Sequence, residues 1–286
     1  MLSPIECYEL CVQSPRHVVN FLVAAHGQQP RVLREDFCGS AAISRRWVKD
    51  GTTKGDDRRA IAVDLDAGSL GYAQTVAIED GMVARSASPT GTPPARGELV
   101  LARGDCTGKD VPLAGEGCDA VFVGNFSIGY IHRRQELCAY LRRSLERLRK
   151  GNAGFGGGIF ACDTYGGAGA FVLGGIRRRH LSPGHEAVHY EWVHEKADAL
   201  TGMVENSISF RVELDGEVVR EYPRAFTYRW RLWSIAELRE AMSEVGFARS
   251  AVYTQINVAP GEEPRGVGEG QELGENWTVV VVARAD

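Results

Sequence analysis

Acidic and amide side chains recur where short apolar runs of this chain end. "VLREDFCGSAAIS" (32–44) reaches Glu35-Asp36 and then turns through Phe37-Cys38-Gly39; "AIAVDLD" (60–66) reaches Asp64, with Asp66 just beyond. "ELVLARGD" (98–105) ends at Asp105, "CDAVFVGN" (118–125) at Asn125, and "GGIFACDTY" (157–165) presents Asp163. A carboxylate offers several acceptor positions on two oxygens, so an acid after the second run can take hydrogen bonds from both hydroxyls of a ribose. An acid or amide after the third can receive the exocyclic amine of an adenine. The constellation is that of an adenosine site.

The glycine pattern narrows the ligand. A pyrophosphate-binding G-x-G-x-x-G is absent, because Ser40, Ala41 and Ala42 follow Gly39. Two acids immediately before the turn repel a diphosphate and suit an ammonium or sulfonium cation. S-adenosylmethionine is therefore expected over a dinucleotide, and a nicotinamide oxidoreductase ranks last.

Such residues need a scaffold that brings strand ends together. The apolar runs alternate with helical patterns such as "AISRRWVKD", "GSLGYAQTVAIEDG" and "RRQELCAYLRRSLERLRKG", the order of right-handed βαβ crossovers in a mostly parallel sheet with helices on both faces. A helix over about 15–26 precedes the first run, with Ser14 as N-cap and Pro15 at its first position. "SASPTGTPPARG" (86–97) reads as a loop, and the glycines of "GNAGFGGG" (151–158) as chain reversal. From about 187 to 228 the pattern changes to antiparallel alternation, with Asp215-Gly216 as a hairpin turn, which predicts an inserted three-stranded meander. The "RRRH" run at 177–180 reads as a solvated helix face. "SIAELREAMSEVGF" is a capped helix with Ser234, Glu237 and Gly246 as its signals, and two strands close the chain.

Composition bounds the remaining choices. With 286 residues, 44% hydrophobic, the chain can bury a sizeable core, and a net charge of −4 argues against nucleic acid as partner. Seven scattered cysteines, never spaced C-x-x-C, suggest neither a disulfide framework nor a zinc site and fit a reducing cytosol. No apolar run approaches the length of a membrane span, and the acidic N-terminus is unlike a signal peptide. A cytoplasmic protein, compatible with a homodimer, is expected. His185, His189 and His194 with Glu186 raise a metal reading, but their spacing is helical in a strand-like segment and surface positions are expected. No metal is assigned.

"VLREDFCGSA" resembles motif I of class I S-adenosylmethionine-dependent methyltransferases, an acid and any residue before Gly-x-Gly-x-Gly: Glu35 matches the acid, Gly39 the middle glycine, while Phe37 and Ala41 stand where the outer glycines usually are. The "REDFCG" form and "AFTYRWRLWSIAELREAMSEVGF" (225–247) are similar to an uncharacterised bacterial group within that class. The resemblance implies a Rossmann-like α/β fold: a mostly parallel seven-stranded sheet, a C-terminal antiparallel hairpin and a β-rich insertion. It implies one methyltransferase domain over 1–286, with an N-terminal helical segment (1–30) and a substrate-covering meander (164–230). Glu35, Phe37, Cys38 and Gly39 would meet the methionine part, Asp64 with Leu65 the ribose side, Asp105 and Cys106 the adenine, and Asn125 with Phe126 the methyl-donor end.

Methyl transfer requires alignment and, for some nucleophiles, a base. Candidates on the acceptor side are Tyr130, His132, Asp163 and Tyr165 as catalytic groups, and Tyr228, Trp230 and Arg231, beside Arg229, as binders. Aromatic rings suit an amine through cation–π attraction and arginines suit a carboxylate, so an amine or amino-acid-like small molecule is the expected acceptor. Against these stand plainer roles: Asp36 as a turn acid, Asp66 as a helix cap, Cys38 as a merely small residue, and "FTYRWRLW" as cross-strand packing. An RNA or protein methyltransferase and an inactive binding module are the alternatives.

Overall fold

The computed structural model describes residues 2–87, 91–108, 111–113, 115–151, 156–268 and 270–286. In chain order the elements are α1 (Pro4–Val12), α2 (Pro15–His26), β1 (Val32–Asp36), α3 (Ala42–Lys54), β2 (Arg59–Asp64), α4 (Ala67–Glu79), β3 (Val83–Ala87), β4 (Glu98–Arg103), β5 (Ala120–Val123), α5 (Arg134–Arg147) and β6 (Ile159–Gly166). There follow β7 (Gly174–Leu181), β8 (Ala187–Asp198), β9 (Met203–Leu214), β10 (Glu217–Arg231), α6 (Ile235–Val245), β11 (Arg249–Tyr253) and β12 (Trp277–Arg284). Contacts divide the chain into two compact units: Ser14–Thr164 with Ser234–Gln271 and Thr278–Asp286, and Met1–Gln13 with Tyr165–Trp233 and Glu272–Trp277.

The larger unit is built on an eight-stranded sheet in the order β11-β12-β6-β5-β1-β2-β4-β3. β1, β2, β3, β4, β5 and β6 pair in parallel and β11 with β12 antiparallel. β2, β4 and β5 read as mainly apolar runs because they are buried on both faces, whereas β1 carries the buried charges Arg34, Glu35 and Asp36. Leu33, Ala60, Ala62, Leu99 and Leu101 pack with Phe21 and Leu22 of α2 and Trp47 of α3. Ile61, Val63, Val100 and Ala102 point the other way, to Cys106 and Leu113. Seven strands were expected; the eighth is β3, an edge strand whose exposed Val83 and polar neighbours lack the apolar run of an inner strand. It takes in Ser86 and Ala87 of the expected 86–97 loop, of which 88–90 lie outside the described residues, as do 152–155 of the expected glycine reversal.

Helix ends follow local chemistry. Ser234 and Glu237 form a reciprocal capping box and Gly246 closes α6 at φ 106°. Asp66 caps α4 through the Ser69 amide at 2.5 Å. Ser14 occupies the N-cap of α2 without a side-chain cap bond, so its Pro15 and the left-handed Gly27 carry that helix's boundaries.

The smaller unit contains a four-stranded antiparallel sheet, β10-β9-β8-β7. Asp215 and Gly216, both at positive φ, make its hairpin turn. The three-stranded expectation is corrected by β7, which takes the "RRRH" segment as an exposed edge strand where a helix face was expected; arginines at an edge deter pairing with other chains. Its core joins Val188, Tyr190, Ile208, Phe210 and Val212 to Cys7 of α1.

Candidate active site

Sheet order decides where a ligand can lie. From β1 the chain winds outward through β2 to β4 and β3, then returns to β5 on the other side of β1, so the switch point falls at the carboxyl ends of β1 and β5. The 36–41 turn leaves β1 there. Phe37, Gly39 and Ala41 all adopt left-handed backbone, at φ 56°, 52° and 53°. The two positions where the family motif carries outer glycines thus keep glycine-like geometry with larger side chains, at about 1–2 kcal/mol of local strain each.

Hydrogen bonds hold the turn open in that shape. The Gly39 amide donates to Asp64 Oδ2 at 2.7 Å, the Cys38 amide to the Val63 carbonyl at 3.0 Å, and the Asp66 amide to Asp64 Oδ1 at 2.9 Å. Glu35 Oε2 accepts from the Ser44 amide at 2.8 Å and its hydroxyl at 2.6 Å, tying the end of β1 to the first turn of α3. Burial pushes the Glu35 carboxyl up to about 7, with the Asp64 charge adding and the Ser44 bonds and Arg45 opposing. Asp36 has a structural role. Its buried carboxylate pairs with Arg34 Nε at 2.8 Å and accepts from the Tyr140 hydroxyl at 2.9 Å, locking β1 to α5.

Beyond β2, Leu65 is 63% exposed, an apolar side chain left in the open beside Asp64. Asp105 Oδ1 accepts from the Thr107 amide and hydroxyl at 2.8 and 2.7 Å, a local turn cap on an exposed residue. Cys38 and Cys106 are both buried, and burial raises each thiol well above its ordinary range, which favours the neutral thiol over the thiolate.

After β5, Asn125 and Phe126 are consecutive left-handed residues, φ 55° and 60°. Asp163 on β6 clamps them: its Oδ2 accepts from the Asn125 amide at 2.9 Å and Oδ1 from the Phe126 amide at 2.6 Å. With an oxygen on each amide, Asp163 is positioned to shape this turn. Its carboxyl is pushed to about 7 by burial, against those two bonds. Tyr130, 43% exposed, stacks on Phe37 with ring centres 6.0 Å apart, and half-buried His132 follows it. The larger unit therefore gathers Glu35, Phe37, Cys38, Gly39, Asp64, Leu65, Asp105, Cys106, Asn125, Phe126, Tyr130, His132 and Asp163 at neighbouring strand ends.

Tyr165, Tyr228, Trp230 and Arg231 belong to the smaller unit. Tyr228 stacks on Trp230 at 4.4 Å and on Trp192 at 6.0 Å; Tyr165 meets Trp192, His194 and Trp230 edge-on at 6.0–6.4 Å. The Tyr165 hydroxyl accepts from Asn206 Nδ2 at 3.1 Å, and burial pushes it up to about 12. The Arg231 guanidinium lies 3.8 Å above the Trp233 ring. Alternating aromatics in "HYEWVH" are the sequence signal for the place of Trp192 among these rings, whereas a lone Asn or Ser such as Asn206 or Ser44 carries none. The three histidines separate: His189 bonds Glu213 at 2.8 Å, His194 joins the aromatic rings, and His185 sits in a turn at φ 69°. Among the described residues no cluster of three metal-binding side chains occurs, and no helix is long and apolar enough to cross a membrane.

No protein-family model matches the chain, and no curated protein matches it. Solved structures do. An S-adenosylmethionine-dependent methyltransferase from Clostridium acetobutylicum ATCC 824 is 15% identical with TM-score 0.62, covering 98% of this chain and 97% of its own. CalS10, an amino pentose methyltransferase of calicheamicin biosynthesis from Micromonospora echinaspora, solved with S-adenosylmethionine bound, is 15% identical with TM-score 0.63 over 100% and 98% of the two chains. The sugar N-methyltransferase KedS8 from Streptoalloteichus is 16% identical with TM-score 0.60 over 97% and 90%. The chain has the Rossmann-like methyltransferase fold.

Proposed function

We propose that this protein transfers a methyl group from S-adenosylmethionine to a small-molecule acceptor, as a member of the class I enzymes and of their narrower "REDFCG" group. The observation that carries the reading is Asp64: its carboxylate, at the end of β2, binds the Gly39 amide of the motif-I turn while each oxygen keeps acceptor capacity for a ribose hydroxyl. The surroundings fit the same ligand. Asp64 and the ionisable Glu35 flank the turn, exposed Leu65 offers an apolar surface for a base, and a methyl group built on Gly39 would meet nothing within 4 Å.

Bound there, S-adenosylmethionine supplies a methyl carbon on a sulfonium, whose carbon–sulfur bond breaks with its electron pair staying on sulfur. The chain's own residues bind and align. Glu35 and the 38–39 turn would hold the amino-acid end, Asp64 the ribose, and Asp105 with Cys106 the base. The Asn125–Phe126 turn, held by Asp163, would border the reacting carbon. Tyr130 and His132 are the groups after β5 suited to orient an acceptor or take its proton. Asp163 is assigned to positioning, and Tyr165, with its raised hydroxyl, to acceptor binding together with Tyr228, Trp230 and Arg231 of the inserted segment. The fold likeness to sugar and amino pentose methyltransferases supports a small acceptor.

Calorimetric titration with S-adenosylmethionine and S-adenosylhomocysteine, with NAD as control, tests the reading. Micromolar binding of both nucleosides, lost by at least about tenfold in Asp64→Ala as expected for a missing bidentate hydrogen-bond partner, is the expected result. Binding of neither would end it.

A further inference from the structure

Among the buried polar atoms of the smaller unit that lack a hydrogen-bond partner, Asn206 Oδ1 stands beside aromatic rings. Asn206 is 1% exposed; its amide nitrogen is spent on the Tyr165 hydroxyl at 3.1 Å, and its Oδ1 is buried with no hydrogen bond. A buried carbonyl without a donor is costly, and a ligand or an ordered water that donates to it removes that cost. The neighbouring residue on the adjacent strand repeats the feature. His194 pairs across the sheet with Asn206, bonds the Ala170 backbone with its ring, and leaves Nδ1 buried without a partner. Burial also lowers the His194 pKa, which keeps the imidazole neutral and this nitrogen an acceptor.

The walls are aromatic. Tyr228 pairs with Asn206 from the other side, so His194, Asn206 and Tyr228 form one row across β8, β9 and β10, on the face that carries Trp192 and Trp230. Trp192, His194 and Tyr228 are only partly buried, so the row reaches solvent at its flanks while Asn206 Oδ1 and His194 Nδ1 themselves are covered. Two hydrogen-bond acceptors beneath electron-rich rings attract a group that donates two N–H bonds and carries positive charge. Arg231 at the end of β10, seated over Trp233, displays the same attraction elsewhere in this unit. An anion finds no donor in that pair of atoms, and a plain hydrocarbon leaves both unsatisfied.

We propose that the His194–Asn206–Tyr228 row is a binding site for a primary or secondary ammonium, the amine of the methyl acceptor, with Asn206 Oδ1 and His194 Nδ1 receiving its N–H donors. The identification of that amine as acceptor rests on the methyltransferase reading; the site itself does not.

The test uses the full chain, with cyclohexylamine, which is protonated at neutral pH, against its neutral analogue cyclohexanol and its anionic analogue cyclohexanecarboxylate. Indole N–H signals of ¹⁵N-labelled protein are followed, assigned through Trp192→Phe and Trp230→Phe. The amine is expected to shift the Trp192 and Trp230 signals saturably while leaving Trp47 unmoved, and the two analogues to bind at least about tenfold more weakly. Asn206→Leu, similar in volume without the acceptor, should lose about tenfold, and Asn206→Asp should regain or exceed the original affinity. If these buried substitutions unfold the unit, Tyr228→Phe, which keeps the ring, should bind normally and Tyr228→Leu should not. Equal binding of cyclohexanol, no saturable shift, or an unchanged Asn206→Leu would overturn the site. S-adenosylmethionine titrated into the same samples separates the failures. Nucleoside binding with no amine response overturns this inference alone; amine response with no nucleoside binding overturns the acceptor assignment and the methyl-transfer reading together.

Discussion

Glu35 carries the most informative charge in the larger unit. Its carboxyl, raised to about 7 by burial, is half-protonated near neutral pH, with Ser44 as its hydrogen-bond partner. A folded-state pKa above the unfolded value means that this group's contribution to stability is fully present below about pH 4 and is lost as pH rises through about 7. A cationic ligand reverses the preference, because it favours the ionised form. Nucleoside affinity is therefore expected to strengthen between pH 6 and 8, with a proton released on binding near pH 7. Calorimetry in buffers of different ionisation enthalpy reads that proton directly, and Glu35→Gln should abolish both the release and the pH slope. An affinity independent of pH in the native protein would place the ligand's cation elsewhere. At this scale the sequence was informative about which residue types stand at strand ends and silent about their partners. Glu35 stands out in the sequence because a strand end and a motif both mark it and Asp64 because a strand end does, while nothing in "ACDTY" announces that Asp163 accepts from two backbone amides 37 and 38 residues away.

Between residue and molecule lies the 36–41 turn, where three left-handed positions alternate. Gly39 is the one whose missing side chain leaves open space, so Gly39→Ala separates two effects. The added methyl clashes with nothing, and the expected loss of stability is only the conformational one, about 1–2 kcal/mol. The same methyl intrudes where the methionine end is proposed to lie, so the nucleoside should bind far less tightly than that stability loss explains. Ala41→Gly is the internal comparison: relief of strain offsets the lost buried methyl and the greater freedom of the unfolded chain, leaving stability within about 1 kcal/mol and binding intact. Thermal melts with and without S-adenosylhomocysteine measure both; equal ligand shifts in Gly39→Ala and the native chain would remove the ligand from this turn. Elements with strong local signals were legible from sequence, such as α6 with its capping box and the Asp215-Gly216 hairpin. β3 and β7 were not, because an exposed edge strand needs no apolar run and "RRRH" has no period to distinguish a strand from a helix face.

For the whole molecule, the alternation of strands and helices announced a parallel α/β sheet because inner strands such as β2, β4 and β5 are mainly apolar on both faces. Division into two units left no such mark, since the smaller one assembles from three separated stretches of chain. Its core depends on the first of them. Cys7 of α1 is fully buried against Val188, Tyr190, Ile208, Phe210 and Val212, with Leu2, Tyr8, Leu10, Cys11 and Val12 packed around it, and the Tyr222 hydroxyl donates to the Leu2 carbonyl at 2.8 Å. Removing residues 1–13 strips an apolar sheet face of its cover, and each lost large side chain costs roughly 1.5–3 kcal/mol of burial. The larger unit has its own core around Trp47, Leu33 and Leu99, which includes nothing from α1. Hydrogen exchange on the truncated chain should therefore show protection lost across β8, β9 and β10 and kept in β1, β2 and β5, with nucleoside binding retained and the amine response of the Trp192 and Trp230 signals gone. Loss of protection in both units at once would mean that they fold as one cooperative body, and the two binding functions assigned to them could then no longer be separated by truncation.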